Sequence, residues 1–161
     1  MVRVEKIEDE KDLDEVRILF KEYLEELNEN LCFQHTDEEL VSPLKKYGQP
    51  HGSLLLAYIN DKPAGCIALQ HLKEEGVCEM KRLYVRLGYR GKGIADALVE
   101  KLLSEAKQKG YKKMVLDTLE RLQPAIKLYA KHGFVNTSAY YHNPLPGVVY
   151  MEKMLLPKSS C

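Results

Sequence analysis

The chain has 161 residues, 45% of them apolar and 30% charged, with 24 Lys plus Arg against 24 Asp plus Glu. That length suits one domain, 1–161, which can bury roughly two thirds of its unfolded surface without a metal or a disulfide. The even charge argues against a nucleic-acid partner, and the lack of a signal-like apolar stretch at the N-terminus or of any apolar run near the ~20 residues of a membrane span points to a soluble, cytoplasmic, membrane-free protein.

In chain order, the segment near 10–28 reads as a helix, with Leu13, Val16, Leu19, Phe20, Tyr23 and Leu24 recurring every three or four positions. A short helix is expected near Asp37–Lys46, closed by Ser42-Pro43 and the Gly48-Gln49-Pro50 region. Ser53–Ile59 reads as a buried strand, Asn60-Asp61-Lys62-Pro63 as a turn, and Ala64–Leu69 as the returning strand of a hairpin. Gly76–Val85 extends the same sheet. From Gly93 to about Lys109, Ala95, Leu98, Val99, Leu102, Leu103 and Ala106 form one apolar stripe that Gly110 ends. Lys113–Asp117 is a further strand, Pro124–His132 a helix with Pro in its first turn, and Phe134–Thr137 and Val148–Leu155 the closing strands. Hairpins combined with crossover helices indicate an α+β fold, a mixed, mostly antiparallel sheet with helices on both faces. Cys32, Cys66, Cys78 and Cys161 are widely spaced, with no C-x-x-C pair, so they read as thiols in a reducing compartment, and no metal site is expected.

The chemistry-bearing stretch runs Val85-Arg86-Leu87-Gly88-Tyr89-Arg90-Gly91-Lys92-Gly93-Ile94-Ala95. It joins a strand to an amphipathic helix, whose N-terminus offers unpaired amides and partial positive charge. Gly91 and Gly93 let an anion approach the backbone, and Arg90 and Lys92 add formal charge, which makes a phosphate cradle. A Walker loop is excluded because Lys92 is followed by Gly93, and a dinucleotide fingerprint because position 96 is Asp96. On the glycines alone, a tight strand-to-helix turn explains the pattern equally well.

Arg90-Gly91-Lys92-Gly93-Ile94-Ala95 resembles the Arg/Gln-x-x-Gly-x-Gly/Ala signature of the GNAT N-acetyltransferase superfamily. So do its flanks, Glu79–Val85 before it and Ala125–Phe134 after it. The resemblance, to a small bacterial-type member, is good over about residues 52–137. It implies the GNAT fold with six to seven strands, and acetyl-CoA or CoA as cosubstrate. The strand ending at Val85 should splay from the one ending near Asp117. The pantetheine arm should lie between them against Leu83, Tyr84 and Val85, and the pyrophosphate on Arg90 to Ala95. Thr118, Pro124 and Leu128 complete the expected cofactor contacts. Two positions depart from the family pattern: Leu122 stands where relatives often carry Asn, so that contact is lost or moved to Thr118 or Gln123, and Gly88 stands where many have Pro.

Acetyl transfer to an amine needs a base for the ammonium proton, a donor for the tetrahedral oxyanion and a proton for the departing thiolate. The resemblance makes Tyr129 the acid, the Val85 amide the oxyanion donor and Glu79 the base. Tyr129 also suits plain core packing, and Glu79 an ion pair with Lys81 or Arg82. The loop Ala139–Gly147 carries Tyr140, Tyr141, His142 and Asn143. Tyr140 and Tyr141 can shape an amine pocket in which Arg82 meets a substrate carboxylate, or can be exposed rings on a rigid loop. The leading expectation is an acetyltransferase acting on a primary amine, of a small molecule or a peptide. A CoA-binding sensor and an enzyme for a macromolecular amine are the alternatives. Val148-Val149-Tyr150-Met151 suits either a homodimer interface or a core strand.

Overall fold

The computed structural model describes residues 1–155. Its elements are β1 (Val2–Lys6), α1 (Leu13–Leu27), α2 (Thr36–Val41), α3 (Pro43–Tyr47), β2 (Ser53–Ile59), β3 (Lys62–His71), β4 (Val77–Val85), α4 (Ile94–Gln108), β5 (Lys113–Leu119), α5 (Gln123–Lys131), β6 (Val135–Thr137) and β7 (Val148–Met154). The strands form one seven-stranded sheet in the order β1-β2-β3-β4-β5-β7-β6. Only the β4–β5 pair is parallel, so the fold is α+β with a mostly antiparallel sheet. No described helix is long and apolar enough to cross a membrane.

Both faces of the sheet are covered. On one, α4 and α5 pack Leu98, Val99, Leu102 and Tyr129 against Leu55, Ile67, Met80 and Leu116. On the other, α1 and α3 pack Val16, Leu19, Phe20 and Tyr47 against Leu54, Leu56, Cys66 and Ala68. The continuous apolar run of β2 follows from this, because consecutive residues point to opposite faces and both faces are buried.

Three differences from the sequence reading have local causes. β1 was not expected. It pairs antiparallel with β2 from Val2↔Ile59 to Lys6↔Leu55, and its signal was the alternation of Val2 and Val4 with Arg3 and Glu5. The helix foreseen near 37–46 is two helices, because Pro43 supplies no N–H and Ser42 before it turns to φ −137°. Asn60 and Asp61 both take positive φ (50° and 65°), which makes the β2–β3 turn tight and lets β3 begin at Lys62. β7, which contains the Val148–Met151 segment, runs between β5 and β6 inside the sheet. Cys66 and Cys78 are buried free thiols, and Cys161 lies outside the described residues.

The fork between β4 and β5 positions everything that follows. The two strands pair only at Val77↔Lys113, Cys78↔Met114 and Glu79↔Val115. Beyond Glu79, β4 stays with β3 while β5 follows β7 from Leu116↔Met151 to Leu119↔Val148. A bulge helps to turn β4 away. Arg82 and Leu83 together stand opposite Ile67, and Arg82 takes φ 60°. The Cys66 thiol donates to the Arg82 carbonyl at 3.3 Å.

Candidate active site

A groove of about 470 Å³ runs along the free edge of β4 to the N-terminus of α4, lined by Leu83, Tyr84, Val85, Arg90, Gly91, Gly93, Ile94, Ala95, Pro124 and Leu128. Arg86 donates its backbone N–H to Ala64 at 2.8 Å, so by alternation the Val85 and Leu83 amides face away from β3 into the gap. In α4 the first intrahelical bond runs from Ala97 N–H to Gly93 at 3.1 Å, and no side chain caps the helix, so the amides of 94–96 lack helical partners. Gly91 and Gly93 both take φ 79°, and a Cβ on either would meet nothing within 4 Å. Open space in front of free amides at a helix N-terminus fits a pyrophosphate. Lys92 is exposed and lies outside the groove walls. Arg90 is drawn to the rim, donating to Val85 O at 2.8 Å and to both Glu26 oxygens at 2.7 and 2.6 Å. Asp96 also lines the groove, where its charge would oppose an anion, but Lys131 and His132 hold it at 2.9 and 2.8 Å, and the Lys131 contact leads in keeping its carboxyl below the usual range.

Inside the fork lies a chamber of about 90 Å³ that shares Tyr23, Leu83, Leu122 and Tyr129 with the groove and also takes Thr118 into its wall. Tyr129 is 7% exposed, packs edge-on to Phe134 and forms no hydrogen bond through its hydroxyl among the described residues. Burial pushes its phenol well above 10, so it stays protonated. Leu122 presents an apolar side chain where the family pattern has Asn, and Gln123 is turned back to Glu120 O at 2.5 Å.

Beyond the fork, on the α1–α3 side of the sheet, a cavity of about 690 Å³ is walled by Glu79, Lys81, Gln34, Tyr140 and Tyr141 among others. Glu79 is 3% exposed and accepts hydrogen bonds from Gln70 Nε2 at 2.5 Å and from the Tyr140 hydroxyl at 2.5 Å. Tyr141 donates to Asp117, which also accepts from Asn143 Nδ2 at 2.8 Å. Burial, then the Glu79 charge, pushes the Tyr140 phenol up, and burial, then Asp117, does the same to Tyr141, so both remain donors. The structure thus brings Glu79, Tyr140 and Tyr141 to one cavity, with Tyr129 on the other side of the fork. Arg82 lines the fork chamber, with its guanidinium taken internally. Nε and Nη2 hold Glu39 at 2.8 and 3.2 Å, and Nη1 meets Gln34 Oε1 at 2.8 Å.

Sequence reasoning missed Gln34, Glu39 and Asp117. Gln34 joins the site together: its Oε1 accepts from Lys81 at 2.9 Å and from Arg82, and its Nε2 donates to the Tyr141 hydroxyl at 2.9 Å. These residues come from a 3-10 turn, a short helix and a strand end that only the fold brings together, so no spacing marked them. The one available signal was the pair of adjacent cations, Lys81 and Arg82, in a strand whose other residues are apolar apart from Glu79 and Tyr84, since buried cations require polar partners from elsewhere.

A family model described as Acetyltransferase (GNAT) family matches residues 14–134. An N-acetyltransferase of Schizosaccharomyces pombe is 48% identical over 141 residues, covering 87% of this chain and 86% of its own. The N-acetylaspartate synthetase of Xenopus tropicalis is 34% identical over 126 residues, which cover 77% of this chain and 45% of that protein. A solved GNAT-family acetyltransferase from Staphylococcus aureus Mu50 superimposes with a TM-score of 0.80 at 19% identity, over 97% of this chain and 100% of its own, which shows the shared fold.

Proposed function

The chain belongs to the GNAT acetyltransferase family, and from that premise we propose that it transfers the acetyl group of acetyl-CoA to a primary amine of a small molecule, by direct attack with both substrates bound. The observation that carries this reading is the fork chamber, which shares walls with the glycine-lined groove on one side and with the Glu79 cavity on the other. Donor and acceptor can therefore meet without a covalent enzyme intermediate.

When bound, acetyl-CoA supplies an activated acyl thioester. The amides of 94–96, with Gly91 and Gly93, hold its pyrophosphate, and the free edge of β4 at Leu83 and Val85 aligns the pantetheine arm as an added strand would. An alkylamine is mostly ammonium at neutral pH, with a pKa near ~10, so a base must take a proton before attack. Glu79 is that base, directly or through water, with Gln70 and Tyr140 fixing its carboxylate. The Val85 amide faces the developing oxyanion, and Tyr129, kept protonated by burial, donates to the leaving sulfur. The name of the synthetase relative makes amino acids the first acceptors to try.

The test is release of free thiol from acetyl-CoA with a panel of amines, the products checked by mass. Acetylated amine and CoA in equal amounts are expected. CoA binding without turnover on any amine would turn the reading into that of a binding module.

A further inference from the structure

Lys81 follows Glu79 by two positions on β4, so both side chains leave the same face of the strand. Lys81 is 6% exposed, and it lines both the fork chamber and the large cavity. Its ammonium donates to the neutral Gln34 Oε1 at 2.9 Å, and among the described residues no ion pair joins it to a carboxylate. The neighbouring cations differ: Arg82 and Lys46 both pair with Glu39. Lys81 is thus a buried positive charge at the wall of a cavity with no direct ion pair among the described residues, Glu79 and Asp117 acting on it only at longer range. Such a charge is unfavourable until an anion reaches it. Burial accordingly lowers its pKa to about 8, with Glu79 and Asp117 acting in the opposite sense and Arg82 and Lys46 in the same one. Of the other lysines lining the cavity, Lys46 pairs with Glu39 at 3.3 Å and Lys113 with Glu74 at 3.8 Å, whereas Lys73, like Lys81, has no ion pair among the described residues.

We propose that Lys81 anchors a carboxylate of the acceptor, so that the amine substrate is an amino acid, and preferentially an acidic one, with its ammonium directed to Glu79. This rests on the acetyl transfer proposed above and adds the substrate class. Two residues of strand separate the Cα atoms of Glu79 and Lys81 by roughly 7 Å, which suits a small zwitterion lying between them. Lys73, on the wall of the same cavity, then favours a second carboxylate.

The experiment compares acceptors that differ only in their acids: aspartate and glutamate, then asparagine and glutamine, then glycine against glycinamide. Wild type should prefer them in that order. Lys81→Met keeps an unbranched chain of similar length without the charge. It should raise the KM of the carboxylated acceptors by roughly ten- to a hundred-fold, the loss expected for one charged hydrogen bond. The KM of acetyl-CoA should be unchanged, and Lys81→Arg should recover part of the loss. Succinate, which has no amine, should raise the Tm of wild type and leave that of Lys81→Met unmoved. Preference for glycinamide over glycine, an unchanged KM for aspartate in Lys81→Met, or no succinate protection of wild type overturns the assignment. If no amine of either kind releases thiol, acetyl transfer fails instead, and the succinate arm still decides for or against Lys81.

Discussion

Replacing Gly93 by alanine separates its two proposed roles, bending the chain and flooring a phosphate cradle. At φ 79° an L-residue is strained by roughly 1–2 kcal/mol. For a chain of this length that lowers Tm by roughly 2–8 °C. The added Cβ meets no protein atom within 4 Å, so the fold accommodates it. The space it enters is the space a pyrophosphate needs in front of the free amides of 94–96. Displacing one or two charge-assisted amide bonds should raise the KM of acetyl-CoA by roughly ten- to a hundred-fold or more. Gly110 supplies the control, with φ 87°, nothing within 4 Å of its Cβ and a position at the far end of α4. Gly110→Ala should lower Tm by a similar amount and leave the KM of acetyl-CoA alone. The assay is thiol release at varied acetyl-CoA beside melting curves of both variants. If the two variants show equal, unchanged KM values, Gly93 only shapes a turn and the cradle argument is wrong.

Tyr129→Phe keeps the ring contact with Phe134 and removes a hydroxyl that forms no hydrogen bond among the described residues. kcat should fall by roughly a hundred-fold or more, with CoA affinity and Tm nearly unchanged; wild-type turnover would reduce Tyr129 to a packing residue. Glu79→Gln should lower kcat while leaving the KM of acetyl-CoA unchanged, and a change confined to the acceptor KM would make Glu79 a binder of the cation and not a mover of its proton. Burial holds the Lys81 pKa at about 8 against 10.5 for a free lysine, so the unfolded chain binds that proton more tightly. The destabilisation is full below pH 8 and fades as pH rises toward 10.5. Lys81→Met should therefore be more stable than wild type at pH 7, by up to roughly 3 kcal/mol, with the difference shrinking across that window. Equal melting temperatures at every pH would refute an unpaired buried ammonium.

Regular elements were legible because their signals are local. The stripe Leu98, Val99, Leu102 fixes α4, and Pro124 and Gly133 bracket α5 closely. The glycine junction was legible for the same reason, since a strand, two glycines and an amphipathic helix are contiguous. β1 escaped because five residues carry a weak alternation and their partner, β2, lies about fifty positions away. The large cavity was legible only in its ends, Glu79 and the Tyr140-Tyr141 pair. What joins them is Gln34 and Asp117, and their roles depend on long-range packing that no window of sequence contains.

The bulge in β4 explains why two adjacent cations reach one side chain, Gln34. In a regular strand Lys81 and Arg82 would point to opposite faces of the sheet. Because Arg82 and Leu83 share the single partner Ile67, and Arg82 takes φ 60°, both cations reach the same Gln34 oxygen. Left-handed backbone at a residue with a long side chain is unfavourable by roughly 1–2 kcal/mol. The fold therefore holds strain at Arg82 directly beside a buried charge at Lys81 that has no direct ion pair among the described residues. Arg82 returns stability through Glu39, which it grips with two nitrogens while Tyr47 donates to the same carboxylate. Burial alone would raise the Glu39 pKa, but Arg82 and Tyr47 outweigh it and keep the group ionised. Lys81 has no such return within the described chain. A sequence selected for stability alone could place methionine there, whereas one that must hold a carboxylate next to Glu79 needs the ammonium in place before the ligand arrives.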